Sequence, residues 1–388
     1  MPEAVIVATA RTPIGRAFKG SLIDYRADDM AGFIVKSLLE KVPAVDPASV
    51  EDVIMGSANH AGEQGMNEAR NIAGLAGLPD TVPGTSVNRF CASSLQSIRM
   101  AFHAIKSGEG DTYVAGGVES VSRTSGQGFS KDAANPRYFD ESRPDFINHM
   151  YIAMGMTAEN VAAKYKVSRE RMDEFAKISQ DRAVEAQKNG FFEREITPVT
   201  LPNGNVVSVD DCPRPGTSIE KLATLPPAFK DDGVVTAGNA CPLNDGAAAV
   251  LVMAEDKARS LGLTPLARIK ASAISGLAPE IMGVGPIEAC RKVLEQAGMT
   301  IKDIDIVELN EAFAAQVLPV CDKVGIDIES QLNPHGGAIA LGHPFGQTGA
   351  RIMTTLINDL QTLDKTYGLE TMCIGGGQGM AMIIERLS

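Results

Sequence analysis

The sequence predicts an α/β fold made of two similar halves with a loop-rich region inserted between them. Three observations carry this reading. First, an internal repeat is visible when roughly the first 120 and last 120 residues are compared, because both present the same order of elements. Second, the 388 residues are 44% hydrophobic, with 38 Gly, 21 Pro and no Trp, a balance that favours tight turns and close backbone approach over aromatic packing. Third, the pattern breaks down over residues 121–243 into Gly-, Ser-, Asp- and Pro-rich tracts, and long loops of this kind in compact enzymes are commonly functional. The expected division is residues 1–120 with 244–265 as one half, 121–243 as an inserted loop domain, and 266–388 as the other half.

The elements follow in order. The apolar run Ala4 to Ala8 reads as a strand and is echoed by Leu266 to Ile274. A helix over Asp29 to Lys41 is echoed by one over Pro286 to Ala297. DPASVEDVIMGSAN (46–59) parallels MTIKDIDIVELNEAF (299–313), each an acidic turn leading into an apolar run that reaches an Asn. Each half then presents a reactive residue where a helix begins. In the first, Asn88-Arg89-Phe90-Cys91 precedes Leu95, Ile98, Phe102 and Ile105 on one helical face; in the second, Gly342-His343-Pro344 precedes Ile352, Leu356 and Leu360. Strand-like runs into glycines close both halves, DTYVAGGVES (111–120) and ETMCIGGGQGMAMIIE (369–384). Two such halves imply a pseudo-twofold arrangement, sheet beside sheet, with paired helices buried between them. Within the inserted region one long helix is expected, from about Thr157 to Asn189.

A formal net charge of −12 argues against a nucleic-acid or anionic-membrane surface, which needs a concentrated basic field. The six cysteines form no CxxC pair, so neither a zinc knuckle nor a dense disulfide scaffold is implied, and no metal is expected. The N-terminal apolar run is too short for a secretory segment and no stretch approaches the length of a membrane span. A soluble, cytoplasmic protein is the expectation.

Cys91 sits where a strand-to-helix turn places a thiol at a helix N-terminus, whose dipole and free N–H groups favour a thiolate. A lone Cys is more often inert core; the balance shifts because His343 stands at the matching place of the other half, and a Cys with a distant His is the arrangement of an activated nucleophile. His60, His103 and His149 lack such a setting, and His335 is expected only to satisfy a backbone carbonyl. Cys373 would end a buried strand beside three glycines whose N–H groups could form a nest for a developing oxyanion. Asn310-Glu311 ends an apolar strand and either caps the next helix or points into a site. The absence of GxxxxGK[ST] and of GxGxxG after a strand leaves cofactor-free acyl chemistry.

The segments VNRFCASSLQSI, GNACPLNDGAAA, NEAFAAQ, GGAIALGHPFGQTGAR and CIGGGQGMAM together resemble the thiolase family, in order and across essentially the whole chain. The resemblance implies a five-layered αβαβα fold and a thiolase activity, which forms or thiolytically cleaves a 3-ketoacyl-CoA, as in fatty-acid β-oxidation. It also implies roles. Cys91 would be acylated; His343 would take the thiol proton and polarise the thioester oxygen of the second acyl-CoA; Asn310 would hold a water there. Cys373 would be the acid/base at the α-carbon, and the N–H groups of Cys91 and Gly375 would form a second oxyanion hole. Coenzyme A would be a substrate rather than a bound cofactor, contacted by Met154, Arg214, Phe229, Ala237 and Phe313, with Lys221 and Cys241 beside it. A homodimer or homotetramer is also implied.

Several positions depart from the family pattern. Ser94 stands where Gly is usual, Cys241 and Lys221 where Ser is common, Ala153 where a His accompanies the Met of acetoacetyl-forming members, and Phe345 where smaller aliphatics are common. Met150 to Met156 reads as gap-filling core before it reads as an acyl pocket. Two competing expectations are a β-ketoacyl synthase, disfavoured because Asn310 and Cys373 replace its two histidines, and an inactive acyl-CoA or lipid-binding relative, disfavoured because no reactive residue is missing.

Overall fold

The structure is a computed structural model that describes residues 2–140, 142–143 and 150–388; His149 lies outside the described residues. The first half runs β1 (Ala4–Arg11), α1 (Ala27–Glu40), β2 (Asp52–Gly56), α2 (Glu68–Leu75), β3 (Gly84–Val87), α3 (Ser93–Ser107) and β4 (Thr112–Ser120). The inserted region contributes α4 (Met154–Tyr165), α5 (Arg169–Lys188) and the short α6 (Ile219–Ala223), and β5 (Asn244–Ala254) follows. The second half repeats the order with β6 (Ala267–Gly276), α7 (Gly285–Ala297), β7 (Ile306–Leu309), α8 (Ala314–Val324), α9 (Thr348–Thr362), β8 (Tyr367–Ile374) and β9 (Gln378–Arg386).

The two halves pair their strands alike. In the first, β2 lies parallel to both β3 and β4, β4 antiparallel to β5, and β5 antiparallel to β1. In the second, β7 lies parallel to β8, β8 antiparallel to β9, and β9 antiparallel to β6, while a parallel bridge from Val307 to Leu332 stands where β3 pairs in the first half. Among the described residues the strands of the two halves join into one continuous sheet where β1 meets β6, at Val5 with Arg268 and Ile6 with Ala267.

Alternation along the strands sorts the apolar residues into three cores, and that sorting builds the layers. Val53, Met55 and Leu251 pack outward against Met30, Ile34, Leu38 and Ile72 of α1 and α2. Ile54 and Val250 of one half and Ile269 and Met382 of the other face inward onto Leu95, Ile98, Ile352 and Leu356 of α3 and α9. Leu309 and Ile383 turn the other way, onto Cys290, Val293, Val317 and Val320 of α7 and α8. The stacking is helix, sheet, helix pair, sheet, helix: the five-layered αβαβα fold.

The central helices meet without space between them. A Cβ added at Gly349 would fall 2.4 Å from the Leu95 backbone nitrogen. At the adjoining positions, the Ser94 hydroxyl accepts the Ala350 N–H at 2.9 Å, while the N-cap Gln347 of α9 makes no side-chain cap of its own. The hydroxyl at this departure from the family pattern therefore caps the neighbouring helix. Ser94→Ala is expected to cost about 1 kcal/mol, read as a lower urea midpoint at unchanged slope.

One expected element is corrected. The single helix from Thr157 to Asn189 is two: α4 ends at Lys166 in the left-handed region (φ 57°), and α5 starts afresh with Ser168 accepting the Arg171 N–H as N-cap. Apolar periodicity runs across the break because Val161, Ala162, Val167 and Met172 are all buried; the Ser168 cap signal was the clue. Among the described residues, no helix is long and apolar enough to cross a membrane.

Candidate active site

Cys91 lies in a single 3₁₀ turn, Phe90–Ala92, that joins β3 to α3. The turn is strained: Phe90 adopts φ 46°, a left-handed conformation costing about 1 to 2 kcal/mol for a residue with a Cβ. It is held by the Asn88 side chain, which accepts the Phe90 N–H at 2.8 Å, and by the Ser93 hydroxyl, which donates to the Phe90 carbonyl at 2.7 Å. The sharp turn carries Cys91, half-buried, to the end of β8. There the backbone N–H of Gly375 lies close enough to its sulfur to favour the thiolate, although desolvation dominates and pushes the thiol up to about 11. Cys91 is therefore a thiol at neutral pH.

His343 is buried in the turn that leads into α9, and its tautomer is fixed by its neighbours. The Thr348 hydroxyl donates to the Pro344 carbonyl at 2.8 Å and stands 2.6 Å from His343 Nδ1, placed to accept a proton carried there. With the proton there, Nε2 is the free base, with Asn310 Nδ2 donating toward it from 3.3 Å. Burial, aided by the Arg351 charge, lowers the imidazole to about 3, so the ring is neutral at physiological pH. The His343 N–H is anchored on Asn244 Oδ1 at 2.9 Å, and the ring edge meets Phe345 at 5.1 Å between centroids.

The remaining candidates converge from both halves. Cys373, buried at the end of β8, interacts electrostatically with Cys91 and Cys241, and burial raises its thiol well above the ordinary range. Cys241 is held close by its N–H bond to the Ala312 carbonyl at 3.0 Å and the adjoining Ala240–Phe313 bridge. Among the described residues no hydrogen bond joins His343 to Cys91; apo catalytic contacts are commonly longer than reacting ones. Asn310 does not cap α8, whose N-cap is Phe313. Its Oδ1 is buried and unpartnered, an acceptor left over inside the site, whereas Glu311 is spent on Ser179, Asn333 and the Ile339 N–H.

The coenzyme A candidates form an apolar group and an exposed polar one. A Cβ at Gly375 would lie 3.7 Å from Met154 Sδ, and one at Gly155 would lie 2.1 Å from the Phe229 ring, which meets Phe313 edge-on at 6.0 Å. Met154, Phe229 and Phe313 thus form one apolar group near Gly375. Lys221, on α6, donates to the Gly216 carbonyl at 2.9 Å, and α6 packs over the turn of the exposed Ala237, since a Cβ at Gly238 would meet Leu222 at 2.6 Å. Arg214 is exposed, with its backbone N–H on Gln180 Oε1 at 2.8 Å.

Sequence reasoning missed Thr348 and Asn244, which orient His343; both lie inside quoted motifs but carry no spacing signal. His335 is corrected: its Nδ1 meets the Asp359 carboxylate at 2.5 Å rather than a carbonyl, and its ring stacks on Phe191 at 3.6 Å.

Comparison with known proteins agrees with this architecture. Residues 4–256 match the thiolase N-terminal domain and residues 263–386 the thiolase C-terminal domain. The chain is 46% identical to the 3-oxoadipyl-CoA/3-oxo-5,6-dehydrosuberyl-CoA thiolase of Escherichia coli (strain K12), covering 100% of both. It is 45% identical to the 3-ketoacyl-CoA thiolase of Bacillus subtilis (strain 168), over 99% of this chain and 100% of that one. The crystal structure of Bacillus anthracis acetyl-CoA acetyltransferase superposes with a TM-score of 0.91 at 39% identity, covering 100% of this chain and 99% of that one. With both domain models matched and relatives similar over its full length, the chain belongs to the thiolase family of acyltransferases.

Proposed function

We propose that the enzyme works through an acyl-cysteine at Cys91 and forms or cleaves 3-ketoacyl-CoA esters in fatty-acid or dicarboxylic-acid metabolism. The observation that carries this reading is the approach of the Gly375 N–H to the Cys91 sulfur, which brings an amide donor of one half beside the candidate nucleophile of the other. In the first step Cys91 Sγ attacks a thioester or ketone carbonyl as its proton passes to His343 Nε2, and the oxyanion is met by the Cys91 and Gly375 N–H groups. The bond to the leaving group then breaks, releasing coenzyme A in synthesis or the enolate of a shorter acyl-CoA in cleavage. In synthesis the departing coenzyme A takes the Cys373 proton, and the Cys373 thiolate so formed removes the α-proton of the second acyl-CoA, whose enolate attacks the acyl-cysteine. In cleavage the departing enolate takes the Cys373 proton, and an incoming coenzyme A, giving its thiol proton to Cys373, attacks the acyl-cysteine. In both directions Cys91 leaves as thiolate and recovers its proton from His343. Asn310, with Oδ1 free, holds a water beside His343 Nε2 for the second thioester oxygen.

Coenzyme A binds as substrate on the inserted region 121–243, with its apolar reach on Met154, Phe229 and Phe313 and its phosphates toward Arg214 and Lys221. An acidic protein holds an anionic ligand locally in this way. The names of the relatives, from 3-ketoacyl-CoA to 3-oxoadipyl-CoA, support a 3-ketoacyl substrate. Assembly as a dimer or tetramer in the cytoplasm belongs to the same reading, supported by exposed Met66, Leu75 and Phe90 around the open edge of β3. Intact-protein mass spectrometry after brief mixing with acyl-CoA and 3-ketoacyl-CoA esters is expected to show one acyl adduct, localised to Cys91. An adduct on another residue, or none from any ester, would refute the proposal.

A further inference from the structure

Glu119 occupies the junction between the two halves. It is the penultimate residue of β4, fully buried, and four N–H donors converge on its carboxylate. Oε2 accepts the Ala58 N–H at 2.8 Å and the Gly346 N–H at 2.9 Å; Oε1 accepts Gln64 Nε2 at 2.8 Å and the Asn59 N–H at 3.2 Å. A protonated carboxyl would waste one of these positions, whereas an ionised one offers an acceptor site to each donor. Burial pushes the carboxyl up and the four donors pull it back.

The donors belong to the two segments that carry the reactive residues. Gly346 is three residues beyond His343. Ala58 follows β2, and its carbonyl accepts from Asn88 Nδ2 at 2.9 Å; that same Asn88 accepts the Phe90 N–H beside Cys91. Ser57 between them donates its N–H to the Val87 carbonyl at 3.2 Å. The backbones here leave no room for adjustment: a Cβ at Gly346 would fall 2.3 Å from the Val118 carbonyl and 2.6 Å from Ser57 Cα. One carboxylate thus bonds directly to the His343 turn and, through Asn88, to the Cys91 turn.

We propose that Glu119 is a positioning residue that sets the distance between the Cys91 thiol and His343 Nε2; the inference rests on the roles proposed for those two residues. The acyl-CoA site proposed on Met154, Phe229 and Phe313 does not include this contact, so the inference separates turnover from binding. Displacement of a base by about 1 Å costs on the order of 100-fold in rate.

The test is Glu119→Gln, which keeps the shape but turns an NH₂ group toward donors. Expected are a kcat for 3-ketoacyl-CoA thiolysis about 100-fold below wild type, KM within about threefold, and Cys91 acylation slowed in parallel by mass spectrometry. A folded variant with kcat within threefold of wild type overturns the inference, as does a loss confined to KM. Should Glu119→Gln not fold, Gln64→Met decides. It removes one of the four donors, and about a tenfold fall in kcat at unchanged KM is expected; an unchanged kcat overturns it. Cys91→Ala and His343→Ala run alongside: if either keeps wild-type turnover, the proposed roles have failed rather than the role of Glu119.

Discussion

His343→Ala is expected to slow acylation of Cys91 by about 10²- to 10⁴-fold, because general-base catalysis contributes on this scale. The pH dependence makes the prediction sharper. In the wild type, Cys91 ionises only near pH 11 and His343 is protonated only near pH 3. The neutral thiol–imidazole pair therefore persists between them, and acylation should be nearly flat from about pH 5 to 9. Without the imidazole the expected route is the pre-formed thiolate, whose fraction rises about tenfold per pH unit until the thiol pKa is reached. Single-turnover acylation followed by mass spectrometry across that range reads both outcomes. A variant whose rate stays flat and high would remove His343 from the role of base.

Gly349→Ala should be the most damaging single methyl in the central layer. The added Cβ would lie 2.4 Å from the Leu95 nitrogen and 2.7 Å from its Cβ, so helix α3 must move rather than a flexible side chain. Overpacking of a well-filled interface costs about 1 to 3 kcal/mol, and the upper end is expected because the clash is with backbone. Urea unfolding measures the cost. Activity should fall as well, since α3 begins directly after Cys91 and α9 directly after the His343 turn; separating these helices separates the thiol from its base. An unchanged urea midpoint would show that the helices have slack the geometry denies.

Much of this molecule was legible from the sequence, for reasons that are local. Strand and helix periods are written in side-chain order, so the paired elements of the two halves, and the start of α3 at Cys91, could be read from spacing. The reactive residue types announced themselves at helix starts and beside glycines. Ser94, by contrast, stands out in the sequence only as a departure from a usual Gly; in the structure its hydroxyl caps a helix 256 positions away in sequence. The break at Lys166 was hidden because burial continues on both sides of it.

What only the tertiary structure decided is which groups hold the reactive ones. The base form of His343 depends on Thr348, whose hydroxyl donates to Pro344 and stands beside Nδ1. The meeting of Cys91 with Gly375 depends on β8 ending beside a turn from the other half. Glu119 appears in the sequence as one charge inside an apolar strand, and its contact with Gly346 spans 227 residues. Sequence pattern encodes what each segment prefers for itself; hydrogen bonds between distant segments, paid for by burial elsewhere, have no period and leave no mark in it.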